Sequence, residues 1–380
     1  MSVLPIASIL PEVCLSGRWE LIADEDASST ALRASWASAT LAFHLSSFND
    51  LRGISLRLAA TTERKDRWNG GTPMLAVTAT TSGTQSAQKR WSIEPALDDM
   101  PETLTLWPEH MDSGSLPDGG CDVHLTLIDR ASVIDIQGFV APSRISAPSL
   151  TNQIRQKILF IGDSISCGLS PEDVAAPALP LGVLDAFPYQ FVSAISRSLG
   201  IRIEVEVVAY PGISLCGTDG AAGMAQRFFC SNPWTSSLLP SSTVCTDNTK
   251  IVCIALGTND AVSPGAFCDT LCTFVRKLCS SPTLSKVEAV YIIPPFTDLN
   301  DSSADPILKK LTQALLPSTL ALSAGSAVHV TTLPHADVNC GLTKENTLDG
   351  LHPTLEGHAI LGANLARILQ NDAVFVRALK

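Results

Sequence analysis

The sequence predicts two domains: an all-β sandwich of jelly-roll type, followed by an α/β domain with a parallel sheet. At 380 residues the chain is longer than one average domain. Residues 1–150 contain short apolar segments separated by turn residues, whereas residues 151–380 alternate strand-like with helical segments. The pattern changes at 141–148, a segment containing two prolines and two serines that we interpret as the linker.

The strands of the predicted sandwich are short, and several of them alternate in polarity. Ile54-Ser55-Leu56-Arg57-Leu58 is typical, since alternation buries one face of a strand and exposes the other. Glycine-rich segments at 69–71 and 117–120 predict the loops between strands. The predicted strands are 40–45, 54–58, 74–80, 104–107, 123–128 and 133–140. Two packed antiparallel sheets are the natural architecture for such a set.

The second domain predicts a parallel sheet covered by helices, in the flavodoxin-like strand order 2-1-3-4-5. The segment 218–249 is longer than an ordinary connection and is a candidate lid or substrate wall. The predicted strands are 158–161, 203–209, 251–256, 287–293 and 328–332. The predicted helices are 188–199, 266–279, 306–316 and 355–369.

Composition argues against several classes of protein. A net charge of −11 disfavours nucleic acid or an anionic membrane as a partner. The N-terminal segment lacks a basic region and is interrupted by Pro5 and Pro11, and no apolar stretch has transmembrane length. Eleven cysteines without a Cys-x-x-Cys pair favour reduced thiols, with a disulfide inside 216–245 as the alternative. We therefore expect a cytoplasmic protein with no membrane segment.

Small polar residues follow the first strand of the predicted sheet. Gly162-Asp163-Ser164 comes directly after the apolar run 157–161 and permits a tight turn from strand to helix. A serine there lies at the carboxyl end of the strand, where open α/β sheets bind their ligands. The same tripeptide is also ordinary turn chemistry, so a structural role is the alternative.

Three later segments complete a possible site. Gly212 follows the second strand, where its backbone N–H can approach a ligand closely, although a turn glycine is the simpler interpretation. Asn259 follows the third strand and can direct its amide N–H to the same pocket, whereas we expect Asp260 to cap a turn or the next helix. Asp349 precedes His352 by three residues, a spacing that lets the carboxylate orient the imidazole toward a serine.

The Asp349–His352 pair leaves two alternatives open, a structural pair or half of a metal site. The neighbourhoods of the other histidines supply no second ligand at metal spacing, and no glycine-rich phosphate loop is present. We therefore expect no metal and no cofactor.

Together these segments resemble the four blocks of the SGNH (GDSL-type) hydrolase family over residues 155–375. Gly162-Asp163-Ser164, Tyr210-Pro211-Gly212 and the segment around His352 are most similar to family 2 carbohydrate esterases, which join a β-sandwich to an SGNH domain. The resemblance implies a catalytic triad of Ser164, Asp349 and His352. It implies an oxyanion hole formed by Ser164, Gly212 and Asn259.

The function implied is a serine esterase or deacetylase acting on a small acyl ester, such as an acetylated sugar, through an acyl-enzyme. An acyltransferase using the same residues is the alternative, because an acyl-enzyme can react with water or with an alcohol. A carbohydrate-binding module on a degenerate scaffold is a third possibility, which intact Ser164, Asn259 and His352 disfavour. Asp163 and Trp234 are candidate substrate-binding residues.

Overall fold

A computed structural model of the chain divides into two compact units, residues 1–154 with 239–245 and residues 155–238 with 246–380. The predicted strands and helices lie among the residues it describes, except for most of the helix predicted at 306–316. No helix in this described part is long and apolar enough to span a bilayer. The described residues are 2–23, 30–66, 72–81, 88–99, 102–108, 119–141, 144–148, 156–169, 179–218, 220–234, 248–300, 313–315, 318, 322 and 327–380.

The first unit contains two antiparallel sheets, as the sequence predicts for a sandwich. The strands are β1 (Ser2–Pro5), β2 (Cys14–Ser16), β3 (Glu20–Ala23), β4 (Thr30–Ala34), β5 (Thr40–Leu45), β6 (Ser55–Leu58), β7 (Glu63–Arg64), β8 (Leu75–Thr81), β9 (Gln88–Ile93), β10 (Thr103–Thr105), β11 (Cys121–Leu127) and β12 (Ser132–Ala141). One sheet has the order β10-β6-β12-β4-β3, with β1 and β7 also pairing with β12, and the other has the order β2-β5-β11-β8-β9.

Alternating apolar residues of both sheets form one core. In β5, Leu41, Phe43 and Leu45 are fully buried, while the residues between them face the other side of the sheet. The Phe43 ring meets Phe139 of the opposite sheet edge to face, with centroids 5.3 Å apart. The described tryptophans of this unit are also buried rather than displayed as a sugar platform; they are Trp19, Trp36, Trp91 and Trp107. Trp68 lies outside the described residues.

The second unit is built on a parallel sheet. Its strands are β13 (Gln156–Gly162), β14 (Ile203–Ala209), β17 (Thr249–Ala255), β18 (Ala289–Ile293) and β19 (His329–Thr332), and a small hairpin is formed by β15 (Gly217–Thr218) and β16 (Ala221–Ala222). The order β14-β13-β17-β18-β19 confirms the predicted flavodoxin-like order. The central strand β13 is buried from its second residue onward, because strands on both sides and layers above and below cover it.

The described helices begin and end at recognisable signals. Thr354 caps the helix Leu355–Leu369 by accepting from Gly357 N at 3.2 Å, and Gly200 ends the helix Phe187–Leu199 in the left-handed conformation. The α-helices are α1 (Ile6–Ile9), α2 (Phe187–Leu199), α3 (Met224–Arg227), α4 (Pro264–Cys279), α5 (His335–Val338), α6 (Leu355–Leu369) and α7 (Ala373–Leu379). Short 3₁₀ helices span Leu10–Glu12, Phe48–Gly53, Leu97–Asp99, Gly182–Asp185, Pro282–Leu284 and Lys344–Asn346.

Candidate active site

Ser164 lies in a tight turn directly after β13. The turn is closed by hydrogen bonds from Cys167 N to Asp163 O at 3.2 Å and from Leu169 N to Ser164 O at 2.9 Å. Gly162 is required before it, since a Cβ there would lie 2.0 Å from Ser166 Oγ. The Ser164 residue is only 4% exposed. A rigid backbone therefore fixes the position of its hydroxyl.

His352 connects Ser164 with Asp349. Its Nε2 lies 3.0 Å from Ser164 Oγ, across 188 positions of sequence, and its Nδ1 lies 2.6 Å from Asp349 Oδ2. Because the carboxylate only accepts hydrogen bonds, Nδ1 carries the proton and Nε2 presents its lone pair to the serine hydroxyl. The structure thus brings the three predicted triad residues together, with a proton acceptor directed at Ser164.

The Asp349 carboxylate is held ionised by its neighbours. Burial alone would raise its pKa, but hydrogen bonds from His352 N, the His352 ring and Leu351 N together lower the pKa below its usual value. The backbone bonds are 2.7 Å from His352 N and 2.9 Å from Leu351 N, both to Oδ1. The carboxylate therefore remains a hydrogen-bond acceptor for the imidazole at neutral pH.

A second loop braces the segment that carries Asp349. Asn300 donates from Nδ2 to Asp349 O at 2.6 Å, and Leu299 N donates to Gly350 O at 2.8 Å. Gly350 has a φ of +96°, and a Cβ on it would lie 1.9 Å from Asn300 Nδ2. Sequence reasoning missed this brace, because Asn300 lies 49 positions from its partner and belongs to no recognised motif.

Gly212 and Asn259 lie on neighbouring loops after β14 and β17. Gly212 adopts a φ of +72°, a conformation that favours glycine. Asn259 donates from Nδ2 to Ile213 O at 3.1 Å, which fixes the asparagine to the segment that follows Gly212. An amide nitrogen carries two hydrogens, so this contact uses one of the two N–H donors of Asn259.

Asp260 does not cap the next helix. Helix α4 is capped instead by Ser263, whose Oγ accepts from Ala266 N at 3.3 Å. The Asp260 carboxylate accepts from Leu215 N at 2.8 Å and from Cys216 N at 2.9 Å. Of the two expected roles, capping the next helix was wrong, whereas the carboxylate does bind two consecutive backbone N–H groups, in a loop about 45 residues earlier in the chain.

Asp163 does not face a substrate, contrary to its assignment as a candidate substrate-binding residue. It is fully buried, and its Oδ1 accepts from Ile165 N at 3.1 Å. Burial, with a smaller contribution from nearby Asp260, raises the pKa of Asp163 to about 7. With no accessible surface, the Asp163 side chain supports the turn that carries Ser164.

Trp234 stands beside the loop that carries Gly212. Its Nε1 donates to Tyr210 Oη at 3.1 Å, and the two rings meet at 89° with centroids 5.8 Å apart. Tyr210 lies two residues before Gly212 in the chain. The described part of the segment 218–249 is thereby attached to the loop that carries Gly212. Residues 219 and 235–247 of this segment lie outside the described residues.

Helix α6 carries another histidine, His358, which is fully buried. His358 Nδ1 accepts from Phe187 N at 3.1 Å, and the two rings stack at an interplanar angle of 12°. Burial, with a contribution from His352, lowers the pKa of His358 to about 3. His358 is thus a neutral structural residue, in contrast to the accessible proton acceptor His352.

Among the described residues, no group of three His, Cys, Asp or Glu side chains is placed so that it could hold a metal ion. Ten of the eleven cysteines form no disulfide, Cys216 and Cys230 among them, so the alternative of a disulfide within 216–245 was wrong. The eleventh, Cys245, lies outside the described residues.

No protein-family model and no curated protein matches the chain. Solved structures do match it in fold. A family 2 carbohydrate esterase with a carbohydrate binding domain from Corynascus thermopiles (Myceliophthora fergusii) is 17% identical, with a TM-score of 0.62 over 97% of this chain and 99% of that chain. A family two carbohydrate esterase from Clostridium thermocellum in complex with cellohexaose is 14% identical, with a TM-score of 0.61 over 96% and 99%.

A salicylyl-acyltransferase from a tetracycline biosynthetic pathway is equally similar. It is 14% identical, with a TM-score of 0.61 over 100% of this chain and 99% of that chain. These matches extend over nearly the full length of each chain, so the likeness includes both units. The chain has the fold of the family two carbohydrate esterases, which confirms at the level of fold the resemblance drawn from its motifs.

Proposed function

We propose that the protein is a serine esterase that cleaves small acyl esters through an acyl-enzyme on Ser164. The observation that carries the proposal is the 3.0 Å contact between Ser164 Oγ and His352 Nε2, with Asp349 on the opposite nitrogen. A nucleophile, a base and a residue that orients the base are the arrangement that nucleophilic acyl transfer needs.

In the first half-reaction Ser164 Oγ attacks the ester carbonyl carbon while its proton passes to His352 Nε2. The carbonyl oxygen becomes an oxyanion, stabilised by the backbone N–H groups of Ser164 and Gly212 and by the second amide N–H of Asn259. Collapse of the tetrahedral intermediate breaks the bond to the alkoxy oxygen, which takes the proton from His352. The alcohol leaves and the acyl group remains on Ser164.

In the second half-reaction water takes the place of the alcohol. His352 accepts a proton from the water as its oxygen attacks the acyl carbon, and the same three donors stabilise the second oxyanion. Collapse breaks the bond to Ser164 Oγ, which recovers its proton from His352. Asp349 stabilises the imidazolium in both half-reactions, and no cofactor takes part.

We assign the substrate as an ester of a small acyl group with a sugar or similar polyol. A structural neighbour holds cellohexaose, which supports a carbohydrate alcohol. The perpendicular Trp234–Tyr210 pair next to Gly212 supports an aromatic wall on the oxyanion side, and aromatic faces pack well against the apolar faces of sugars. Trp234 is accordingly the proposed substrate-binding residue.

Acyl transfer to an alcohol is the second candidate, supported by the similarity to the salicylyl-acyltransferase. The two reactions share the acyl-enzyme and differ only in the nucleophile that enters. Supplying an acyl ester together with candidate alcohols separates them, since a hydrolase releases mainly free acid and a transferase mainly the new ester.

The proposal is tested with a panel of p-nitrophenyl esters of increasing acyl length and with acetylated monosaccharides. Ser164→Ala is compared with Ser166→Ala, a matched control in the same turn whose buried Oγ has no hydrogen-bond partner in the described structure. We expect kcat/KM to fall about 10⁴-fold or more in Ser164→Ala and to change less than threefold in the control. Wild-type turnover by Ser164→Ala would contradict the proposal.

A further inference from the structure

Two consecutive residues, Asn259 and Asp260, hold the segment that follows Gly212. Asn259 Nδ2 donates to Ile213 O at 3.1 Å. The Asp260 carboxylate accepts from Leu215 N at 2.8 Å through Oδ2 and from Cys216 N at 2.9 Å through Oδ1. Three hydrogen bonds thus join the loop after β17 to residues 213–216 of the loop after β14.

Asp260 is itself fixed in place. Its backbone N–H donates to Gly257 O at 3.2 Å, in a turn where Gly257 has a φ of +119°. The held segment is also tied to the residues beyond it, because Met224 N donates to Ser214 O at 2.8 Å. The bonds from Asp260 therefore join two ordered loops, and they use both oxygens of one carboxylate.

The two loops each supply one proposed oxyanion donor. Gly212 lies three residues before Leu215, the first residue that Asp260 holds, and Asn259 directly precedes Asp260 in the chain. Donors stabilise an oxyanion only when they already point to its position, and a displacement of about 1 Å can cost about a hundredfold in rate. A residue that joins the two loops is therefore in a position to set the spacing between Gly212 N and Asn259 Nδ2.

We propose that Asp260 is a positioning residue for the oxyanion hole, one that sets the separation of the Gly212 and Asn259 donors by holding Leu215 and Cys216. This inference rests on the proposed function of the same site. Asp260 touches no reacting atom in this scheme and acts through the loop.

Asp260→Asn is the substitution that tests the role. Asparagine keeps the shape of the side chain but replaces one accepting oxygen by an NH₂ group, which cannot accept from a backbone N–H. One of the two bonds to Leu215 and Cys216 is lost. Asp372→Ala is the control, because Asp372 accepts through Oδ1 from two backbone N–H groups, Val374 at 2.8 Å and Phe375 at 2.9 Å, at the start of helix α7, and alanine removes both bonds.

Steady-state kinetics and amide hydrogen exchange give the readouts. For Asp260→Asn we expect kcat to fall between about tenfold and a hundredfold with KM changed less than threefold, and exchange to accelerate in residues 213–217. For Asp372→Ala we expect faster exchange at the start of α7 with kcat within twofold of wild type. If the Asp260 carboxylate only stabilised the fold, kcat of the Asp260 variant would be as close to the wild-type value as kcat of the Asp372 variant.

A double-mutant cycle with Asn259→Ala gives the second test. If Asp260 acts through the oxyanion hole, the two losses in kcat are not additive, and the double variant is about as slow as Asn259→Ala alone. A wild-type kcat in Asp260→Asn, or full additivity in the cycle, would overturn the positioning role. A different result would contradict the proposed function, namely esterase activity that persists in Ser164→Ala.

Discussion

Asp163→Asn is predicted to change how stability depends on pH, because the folded protein holds this carboxyl protonated up to about pH 7. In the unfolded chain an aspartate loses its proton near pH 3.9. Between these values the unfolded state releases a proton that the folded state keeps, so the free energy of unfolding of the wild-type protein falls as pH rises. Above about pH 7 both states are ionised, and this contribution has been lost.

The size of the effect follows from the shift. A rise from 3.8 to about 7 corresponds to about 4 kcal/mol at about 1.4 kcal/mol for each pKa unit. Asparagine can still accept from Ile165 N but has no charge to bury. Relative to the wild type, Asp163→Asn should therefore gain up to about 4 kcal/mol in stability between pH 4 and pH 8.

Urea unfolding at pH 4, 5, 6, 7 and 8, followed by circular dichroism at 222 nm, measures this difference. The signal at 222 nm reports mainly on the long helices α2, α4 and α6, which belong to the same unit as Asp163. Subtracting the wild-type curve removes the titration of every other group. A difference in unfolding free energy that is constant from pH 4 to pH 8 would refute the reasoning.

Three further predictions concern residues around the sheet. His358→Gln should lose less stability than the wild type as pH falls below about 6.5, as acid unfolding curves can measure. In the wild-type protein the unfolded histidine binds a proton below this pH, whereas the folded histidine, with a pKa of about 3, stays neutral. Lys157→Met should lower the free energy of unfolding by about 3–5 kcal/mol, because it leaves Glu206 buried without the ammonium group that lies 2.7 Å away. The double variant with Glu206→Leu should recover most of this free energy, as measured by urea unfolding. Trp234→Ala should raise KM for acetylated sugars at least tenfold while Trp234→Phe stays within threefold, measured on the ester panel; equal KM values in all three proteins would contradict a role for the aromatic wall.

The parallel sheet could be predicted closely from the sequence. The strand at 203–209 and the helix at 355–369 were predicted with the bounds that the structure has. Central parallel strands are buried on both faces, so they form continuous apolar runs with clear ends. Long amphipathic helices with an N-cap and a buried face are equally distinct.

Several strands of the first unit could not be predicted. β9 (Gln88–Ile93) is an edge strand whose first three side chains are exposed, so it lacks apolar alternation. β1 (Ser2–Pro5) exists because it pairs with β12, more than 130 residues later. Pairing over such a distance leaves no local signal in either segment, whereas β5 (Thr40–Leu45), which carries three core residues, was predicted at both ends.

In the candidate site, too, some features could be predicted from the sequence and others could not. The proximity of Ser164, Asp349 and His352 was implied by the resemblance of their segments to the SGNH blocks, and the spacing of a carboxylate and an imidazole in one loop agreed with it. The contacts of Asp260 and Asn300 could not be predicted, because each joins two loops that are adjacent only in the folded sheet. The burial of Asp163 was missed since a short motif does not reveal which of its side chains points inward.

Covalent labelling tests the assignment of Ser164 as the nucleophile most directly. The wild-type protein is incubated with a fluorophosphonate, which phosphonylates activated serines and releases fluoride, and the modified peptide is identified by mass spectrometry. We predict a single adduct on Ser164, formed at least a hundredfold more slowly in His352→Ala and absent in Ser164→Ala. No adduct, or an adduct formed equally fast in Ser164→Ala, would contradict the assignment of Ser164 as a nucleophile activated by His352.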